Sequence, residues 1–298
     1  MTTQGSDIRL VIGADGGLGN ALARRLVASR IPVIGTSRRH DSQSLKLDLT
    51  SDPSSWELPP QIGVAYLCAA ITSIDRCQKQ PVETRLVNVE HTLILANRLH
   101  QLGAHLVFLS TNQVFDGSQP HRQAEDDVCP FTEYGRQKAE VEREVLAMGG
   151  AVVRLTKVFA QPPALFRTWA DDLWAGKPIA PYQDMFISPV SVSCIGDVLV
   201  EVGTRRRSGI LQVSGEADIS YADIAWRIAM RLGVRAELVQ PRSAIEIGLP
   251  PEMAPRYTTL DTTRLRHEFG IIPPPCMSTI RTLIDDAALP RTTPTTWR

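Results

Sequence analysis

The 298-residue sequence predicts a doubly wound α/β fold, an open parallel sheet with helices on both faces and a smaller C-terminal lobe. Three observations carry this. Short apolar runs alternate with longer stretches whose apolar residues recur at helical spacing. The first apolar run ends in a glycine-rich turn that opens into a helical pattern. Beyond residue 160, prolines at 162, 163, 178, 181 and 189 interrupt the alternation.

Residues 8–13 form the first buried strand, and 18–29 a helix whose apolar face is Leu18, Ala21, Leu22, Leu26 and Val27. Strands follow at 32–36 and 64–68, then a helix at 82–102 and a strand at 106–110. A polar loop rich in Gly, Pro and Asp spans 116–130, followed by a helix at 132–148 and a strand at 151–155. Further on, 187–192 reads as extended, 194–202 as helical, 210–213 as a strand and 221–232 as a helix. The expected division is a dinucleotide-binding domain over 1–160 and an interleaved smaller lobe over 161–298, with strand elements near 187–213 able to rejoin the first. The Thr/Pro/Arg-rich end, 290–298, is expected to be loose.

Composition narrows the function. Basic and acidic residues balance at 32 each, which gives no push toward nucleic acid or an anionic membrane. The five cysteines, Cys68, Cys77, Cys129, Cys194 and Cys276, form no CxxC pair, and the histidines show no ligand spacing, so no metal site is expected. No basic leader precedes an apolar run and no apolar run reaches membrane-spanning length, so the expected location is the cytoplasm.

The turn from Gly13 through Gly16 to Gly19 has GxxGxxG spacing. Glycine permits the tight turn and a close backbone approach, and the following helix start offers N–H groups and a positive dipole end to a pyrophosphate. The second strand ends in Ser37-Arg38-Arg39. An acid there would bind a ribose 2′-hydroxyl, whereas a hydroxyl and two guanidinium groups suit a 2′-phosphate. NADP(H) is therefore favoured, with NAD(H) the alternative and a solvated basic loop the plain reading. Asp48-Leu49 is placed to meet the adenine ring.

Tyr134 and Lys138 lie one helical turn apart on one face. A nearby ammonium favours the phenolate, so the pair can exchange a proton near neutral pH, and Lys138 can also hold ribose hydroxyls. Thr111 follows the strand at 106–110, at the edge where open α/β sheets bind ligands; its hydroxyl can bond a reacting carbonyl or cap a turn. The three groups together suit carbonyl reduction or alcohol oxidation, with the hydride from nicotinamide and the proton from tyrosine.

With these residues in place, the chain resembles the extended short-chain dehydrogenase/reductases, and within them the dTDP-4-dehydrorhamnose reductase-like enzymes. The likeness is carried by Leu109-Ser-Thr-Asn-Gln-Val-Phe-Asp-Gly117, by Tyr134-Gly-Arg-Gln-Lys138 with Glu142, and by Cys68-Ala-Ala70. Val87-Asn88, Ser188-Pro189-Val190, Asp197-Val198, the segment 219–225 and the segment 260–264 resemble the family more loosely. The resemblance implies a Rossmann sheet, an oxidoreductase acting on a sugar carbonyl, and a nucleotide-sugar substrate held between two lobes. It implies Thr111, Tyr134 and Lys138 as catalytic residues. Implied cofactor contacts are Gly16, Gly17, Leu18, Cys68, Ala69, Ala70 and Asn88. A homodimer through the helices at 82–102 and 132–148 is a further option that it offers.

Two departures stand out. Asn112-Gln113 replaces the Asp-Glu pair of the family's dehydratases and the Asp-Tyr of its reductases. Amides bond substrate but do not exchange protons at neutral pH, so dehydration is disfavoured. Lys157 stands where many relatives have asparagine or an aromatic residue; it either contacts a substrate diphosphate or lies along the lobe interface. Two other functions stay open: an NAD-holding nucleotide-sugar epimerase, and a non-catalytic dinucleotide-binding regulatory subunit like the β subunit of methionine adenosyltransferase.

Overall fold

The computed structural model describes residues 8–39 and 44–288; the expected loose end at 290–298 lies outside them. The chain starts with β1 (Ile8–Ile12), the glycine turn and α1 (Gly17–Ala28), then β2 (Val33–Ser37), β3 (Ser44–Lys46) and β4 (Ile62–Leu67). Helices α2 (Ile74–Lys79) and α3 (Pro81–Arg85) lead through a π-helical turn, Leu86–His91, into α4 (Thr92–Gln101). Next come β5 (His105–Thr111), α5 (Glu133–Ala147), β6 (Ala151–Leu155), β7 (Lys157–Phe159) and α6 (Ala164–Trp174). The chain continues with β8 (Phe186–Ile187), β9 (Pro189–Ser191), α7 (Val192–Thr204), β10 (Gly209–Val213) and β11 (Ile219–Ser220). It closes with α8 (Tyr221–Leu232), α9 (Thr263–Phe269) and α10 (Cys276–Ala288).

Seven strands form one parallel sheet in the order β3-β2-β1-β4-β5-β6-β10. The chain runs outward one way from β1 and then the other way from β4, so the switch point lies between these two strands. Side chains alternate between the faces with the period of two that a strand imposes. Val11, Val64, Tyr66, Val107 and Val153 pack toward Leu22 and Leu26 of α1 and Val198 and Val202 of α7. Leu10, Ala65, Leu67, Phe108 and Val152 pack toward Leu95 and Leu99 of α4 and Val141 and Val145 of α5. With both faces covered, β4 and β6 are buried at every position. A third apolar cluster joins α6, α8 and α10 through Phe166, Leu173, Ile224, Ile228, Ile280 and Ile284.

Several elements differ from expectation. The helix expected at 82–102 is divided by the π turn, where the Thr92 hydroxyl donates to the Val87 carbonyl at 2.8 Å. β3 is a three-residue edge strand with little apolar signal. α6 follows directly on Pro162 and Pro163, because proline is tolerated at a helix start although it breaks a helix interior. The extended stretch at 187–192 is two strands: β8 pairs antiparallel with β11, and β9 pairs parallel with β7. β10 returns to the sheet beside β6. No helix among the described residues is long and apolar enough to cross a membrane.

A buried ion pair fixes the polar loop at 116–130. Arg154 of β6 and Glu142 of α5 are 2% and 3% exposed and 2.8 Å apart. Arg154 also donates to the Ala124 carbonyl at 3.3 Å, and the guanidinium groups of Arg154 and Arg122 lie 5.0 and 4.6 Å from the Phe115 ring centre. Removing one partner leaves a buried charge uncompensated. Glu142→Ala is therefore expected to cost about 3–5 kcal/mol in urea unfolding, whereas Glu142→Leu with Arg154→Met recovers most of that loss.

Candidate active site

Because the main-sheet strands are parallel, the loops that leave their C-terminal ends gather on one edge. After β1, Gly13 has φ +84°, and a Cβ there would lie 2.9 Å from the Ala69 Cβ. A Cβ on Gly19 would lie 2.2 Å from the Gly13 oxygen, so glycine lets α1 start tightly against the turn. Thr36 fixes that turn: its hydroxyl accepts the Gly13 N–H at 3.0 Å and its carbonyl the Ala14 N–H at 2.8 Å. The first turn of α1, with Gly16 as N-cap followed by Gly17 and Leu18, has no side-chain cap and no acidic residue. Its amides and dipole end are thus suited to an anion, and the cradle fits a pyrophosphate.

On the next loop, the buried Ser37 accepts the Arg39 N–H at 3.0 Å, while Arg38 and Arg39 are exposed. Asp48 accepts the Thr50 N–H at 2.9 Å. That bond, aided by the charges of Arg38 and Lys46, holds its carboxyl below the usual carboxylate range. The Leu49 side chain is buried in the core, so Leu49 can offer a ligand only its backbone.

After β4, Cys68, Ala69 and Ala70 are half-buried, and burial pushes the Cys68 thiol up to about 12. Asn88, on the π turn, accepts the Ile71 N–H at 2.7 Å and donates to the Ile71 carbonyl at 3.0 Å and to Gln137 at 2.8 Å. Its carboxamide is spent on this loop and on α5. In this way Asn88 grips the loop that carries Ala69 and Ala70.

At β5 the chain makes a single 3-10 turn, Asn112–Val114, whose Gln113 N–H is accepted by the Thr111 hydroxyl at 3.2 Å. Helix α5 begins against this turn. Thr132 caps it, accepting the Gly135 N–H at 3.0 Å, and its hydroxyl lies 3.4 Å from the Gln113 side-chain oxygen. A Cβ at position 135 would sit 2.0 Å from the Gln113 carbonyl oxygen. Glycine between Tyr134 and Arg136 thus allows the first turn of α5 to reach the end of β5.

Tyr134 is 8% exposed, and burial first, then Cys77, pushes its phenol above the usual tyrosine range. Lys138 is buried, and its Nζ donates to the Leu109 carbonyl at 2.8 Å. Nζ lies 4.4 Å from the Phe108 ring centre and 5.9 Å from that of Tyr134. Burial brings the Lys138 ammonium down to about 8. The expectation that Lys138 lowers the tyrosine pKa is therefore corrected: desolvation dominates, and the ammonium is turned onto a backbone oxygen.

Asn112, Gln113 and the half-exposed Phe131 share a shallow recess beside this turn. Thr111 pairs in register with Leu155, and Lys157 lies two residues beyond. Lys157 is exposed yet walled in by neighbouring protein, which holds its ammonium below lysine's usual range, and its Nζ is 5.8 Å from the Phe159 ring centre. Phe159 packs on Phe166, Phe166 on Trp169 and Trp169 on Tyr221. Trp169 and Tyr221, at the far end of this row, line an open cleft of about 500 Å³ together with Tyr182 and Arg242. Apart from Tyr221, in the family-like segment 219–225, these cleft residues fall in no motif of the sequence. Among the described residues no three His, Cys, Asp or Glu side chains cluster as metal ligands.

The model of the RmlD substrate-binding domain matches residues 8–289. The chain belongs to this family. It is 26% identical to a probable low-salt glycan biosynthesis reductase of Haloferax volcanii, over 93% of this chain and 95% of that protein. It is 27% identical to the dTDP-4-dehydrorhamnose reductase of Aggregatibacter actinomycetemcomitans, over 89% and 94%. It is also 28% identical to the bovine (Bos taurus) methionine adenosyltransferase 2 subunit beta, over 86% and 80%. Among solved structures, a hypothetical dTDP-4-dehydrorhamnose reductase from Sulfolobus tokodaii superposes with a TM-score of 0.75 at 25% identity, covering 87% of this chain and 93% of that one. The Bacillus anthracis dTDP-4-dehydrorhamnose reductase in complex with NADP shares the fold, with a TM-score of 0.79 at 21% identity over 94% and 99%. The resemblance to extended short-chain dehydrogenase/reductases thus holds along the chain, and the expected oxidoreductase class agrees with relatives that are reductases by name.

Lys138 has a measurable signature. Folding disfavours its ammonium, so between about pH 8 and lysine's ordinary pKa near 10.5 the unfolded chain binds more protons and stability rises with pH. Lys138→Met is expected to stabilise the ligand-free protein below pH 8 by up to about 3 kcal/mol. In urea unfolding this gain should fade toward pH 10.5.

Proposed function

We propose that this protein is an NADPH-dependent reductase of a nucleotide-linked 4-keto sugar. The observation that carries the proposal is the buried Tyr134–Lys138 pair, placed by Gly135 against the turn after Thr111, on the same sheet edge as the glycine cradle. The sheet unit would hold the dinucleotide. The lobe built on α6, α8 and α10 would hold the nucleotide end of the substrate, with a base against the aromatic cleft. Lys157, two residues beyond the Leu155 that pairs with Thr111, is assigned the diphosphate.

When bound, the reduced nicotinamide supplies a hydride to the carbonyl carbon. Thr111 donates a hydrogen bond to the carbonyl oxygen. Tyr134, kept protonated by its burial, gives that oxygen its proton as negative charge develops, so C=O becomes CH–OH. Lys138, whose Nζ lies 5.9 Å from the Tyr134 ring centre, would use its remaining N–H groups to bond ribose hydroxyls of the cofactor. Asn112 and Gln113 orient the sugar and, as amides, take no proton, so reduction is not followed by loss of water. Arg38 and Arg39, at the end of β2, bind the 2′-phosphate.

A second reading is a dinucleotide-binding regulatory subunit. It is favoured by the match to the methionine adenosyltransferase subunit and by the amide pair at 112–113. An epimerase would instead keep its dinucleotide through purification.

Purified chain mixed with NADPH and a panel of nucleotide-linked 4-keto sugars should consume NADPH faster than NADH, read by loss of the reduced-cofactor absorbance. Tyr134→Phe should lower kcat by about 10²–10⁴-fold while NADPH binding persists. Joint Arg38→Ala and Arg39→Ala substitution should weaken NADPH by about tenfold or more and leave NADH unchanged. Tight NADPH binding without turnover of any keto sugar would favour the regulatory subunit, and co-purified NAD the epimerase.

A further inference from the structure

His91 closes the π turn and is 7% exposed. Its Nδ1 lies 2.8 Å from the carbonyl oxygen of Leu49, 42 residues earlier in the chain. A carbonyl can only accept, so Nδ1 carries the hydrogen. The N–H of the same peptide unit, that of Thr50, is taken by the Asp48 carboxylate at 2.9 Å. One peptide plane, Leu49–Thr50, is thus gripped on its oxygen by His91 and on its nitrogen by Asp48. The Leu49 side chain is held in the core and cannot reorient to compensate. A turn of this plane would move the Asp48 carboxylate with it.

Three residues before His91, Asn88 grips the Ile71 peptide on both its N–H and its carbonyl side. The wide i→i+5 turn spreads side chains three apart further round the axis than an α turn does. Asn88 therefore reaches the loop after β4 while His91 reaches the loop after β3. The same helix extends the second hold, since Arg98 donates to the carbonyls of Pro53 at 2.5 Å and Trp56 at 2.7 Å.

We propose that His91 is a positioning residue that sets the adenosine wall of the cofactor cleft, fixing the Leu49–Thr50 peptide so that the Asp48 carboxylate is aimed at the adenine amino group. This rests on the dinucleotide reading above. A lone helical histidine without ligand spacing gave the sequence no reason to single it out, because its partner is a backbone oxygen brought near only by the fold.

The test uses the full chain, NADPH and its hypoxanthine analogue, which lacks the amino group, with binding followed by nicotinamide fluorescence. The wild type should prefer NADPH. His91→Ala should weaken NADPH by about tenfold and the analogue much less, so that the preference shrinks. His91→Asn, whose amide nitrogen can replace Nδ1 as donor, should restore the preference. An alanine variant with wild-type affinity overturns the inference. So does one that weakens both dinucleotides equally, as a general loss of structure would, and so does failure of asparagine to restore the preference. A wild-type chain that binds neither dinucleotide overturns the cofactor reading itself, and the role of His91 with it.

Discussion

Gly135 lets helix α5 begin against the carbonyl of Gln113, where a Cβ would lie 2.0 Å from the oxygen. From that approach follows the placement of the other groups. Thr132 caps the helix and reaches Gln113, Thr111 closes the turn on the Gln113 N–H, and Tyr134 and Lys138 enter the gap between α5 and β5. The Lys138 ammonium is held on the Leu109 carbonyl of β5, and Tyr134 is buried beside it. The parallel sheet brings the glycine cradle to the same edge through the neighbouring strands β1 and β4.

Burial gives these two side chains opposite tendencies. The phenol resists losing its proton, and the ammonium loses its proton more readily than a lysine in water. A protonated tyrosine is the form that a reductase needs at the start of its reaction. The charged lysine is tolerated because a carbonyl and an aromatic face receive it. Deeper on the same helix, Glu142 and Arg154 neutralise each other and hold the loop that walls the recess beside Asn112. The helix thus carries charge along its buried face wherever a specific partner exists, which trades stability for placement.

The main-sheet strands other than β3, the glycine turn, Thr111 and the Tyr134–Lys138 spacing were legible because each rests on local sequence. An apolar run, a glycine with positive φ and a four-residue spacing need no knowledge of distant partners. α6 was hidden because prolines that break helices in the middle also start them. The direction of Lys138 and of Asn88 was not legible, since each is set by a backbone group of another element, Leu109 or Ile71. Burial, which decides the tyrosine's proton affinity, belongs to the assembled layers. The cleft of Trp169, Tyr182, Tyr221 and Arg242 likewise exists only once α6 and α8 have packed.

Transfer of label tests the account most directly. NADPH carrying deuterium at the transferable position of the nicotinamide would be incubated with a nucleotide-linked 4-keto sugar, and the sugar product analysed by mass spectrometry and NMR. The account predicts one deuterium at the carbon that was the carbonyl, beside a new hydroxyl whose proton comes from solvent through Tyr134. A reduced product without deuterium at that carbon, or a protein that binds NADPH and substrate together and transfers nothing, would contradict it.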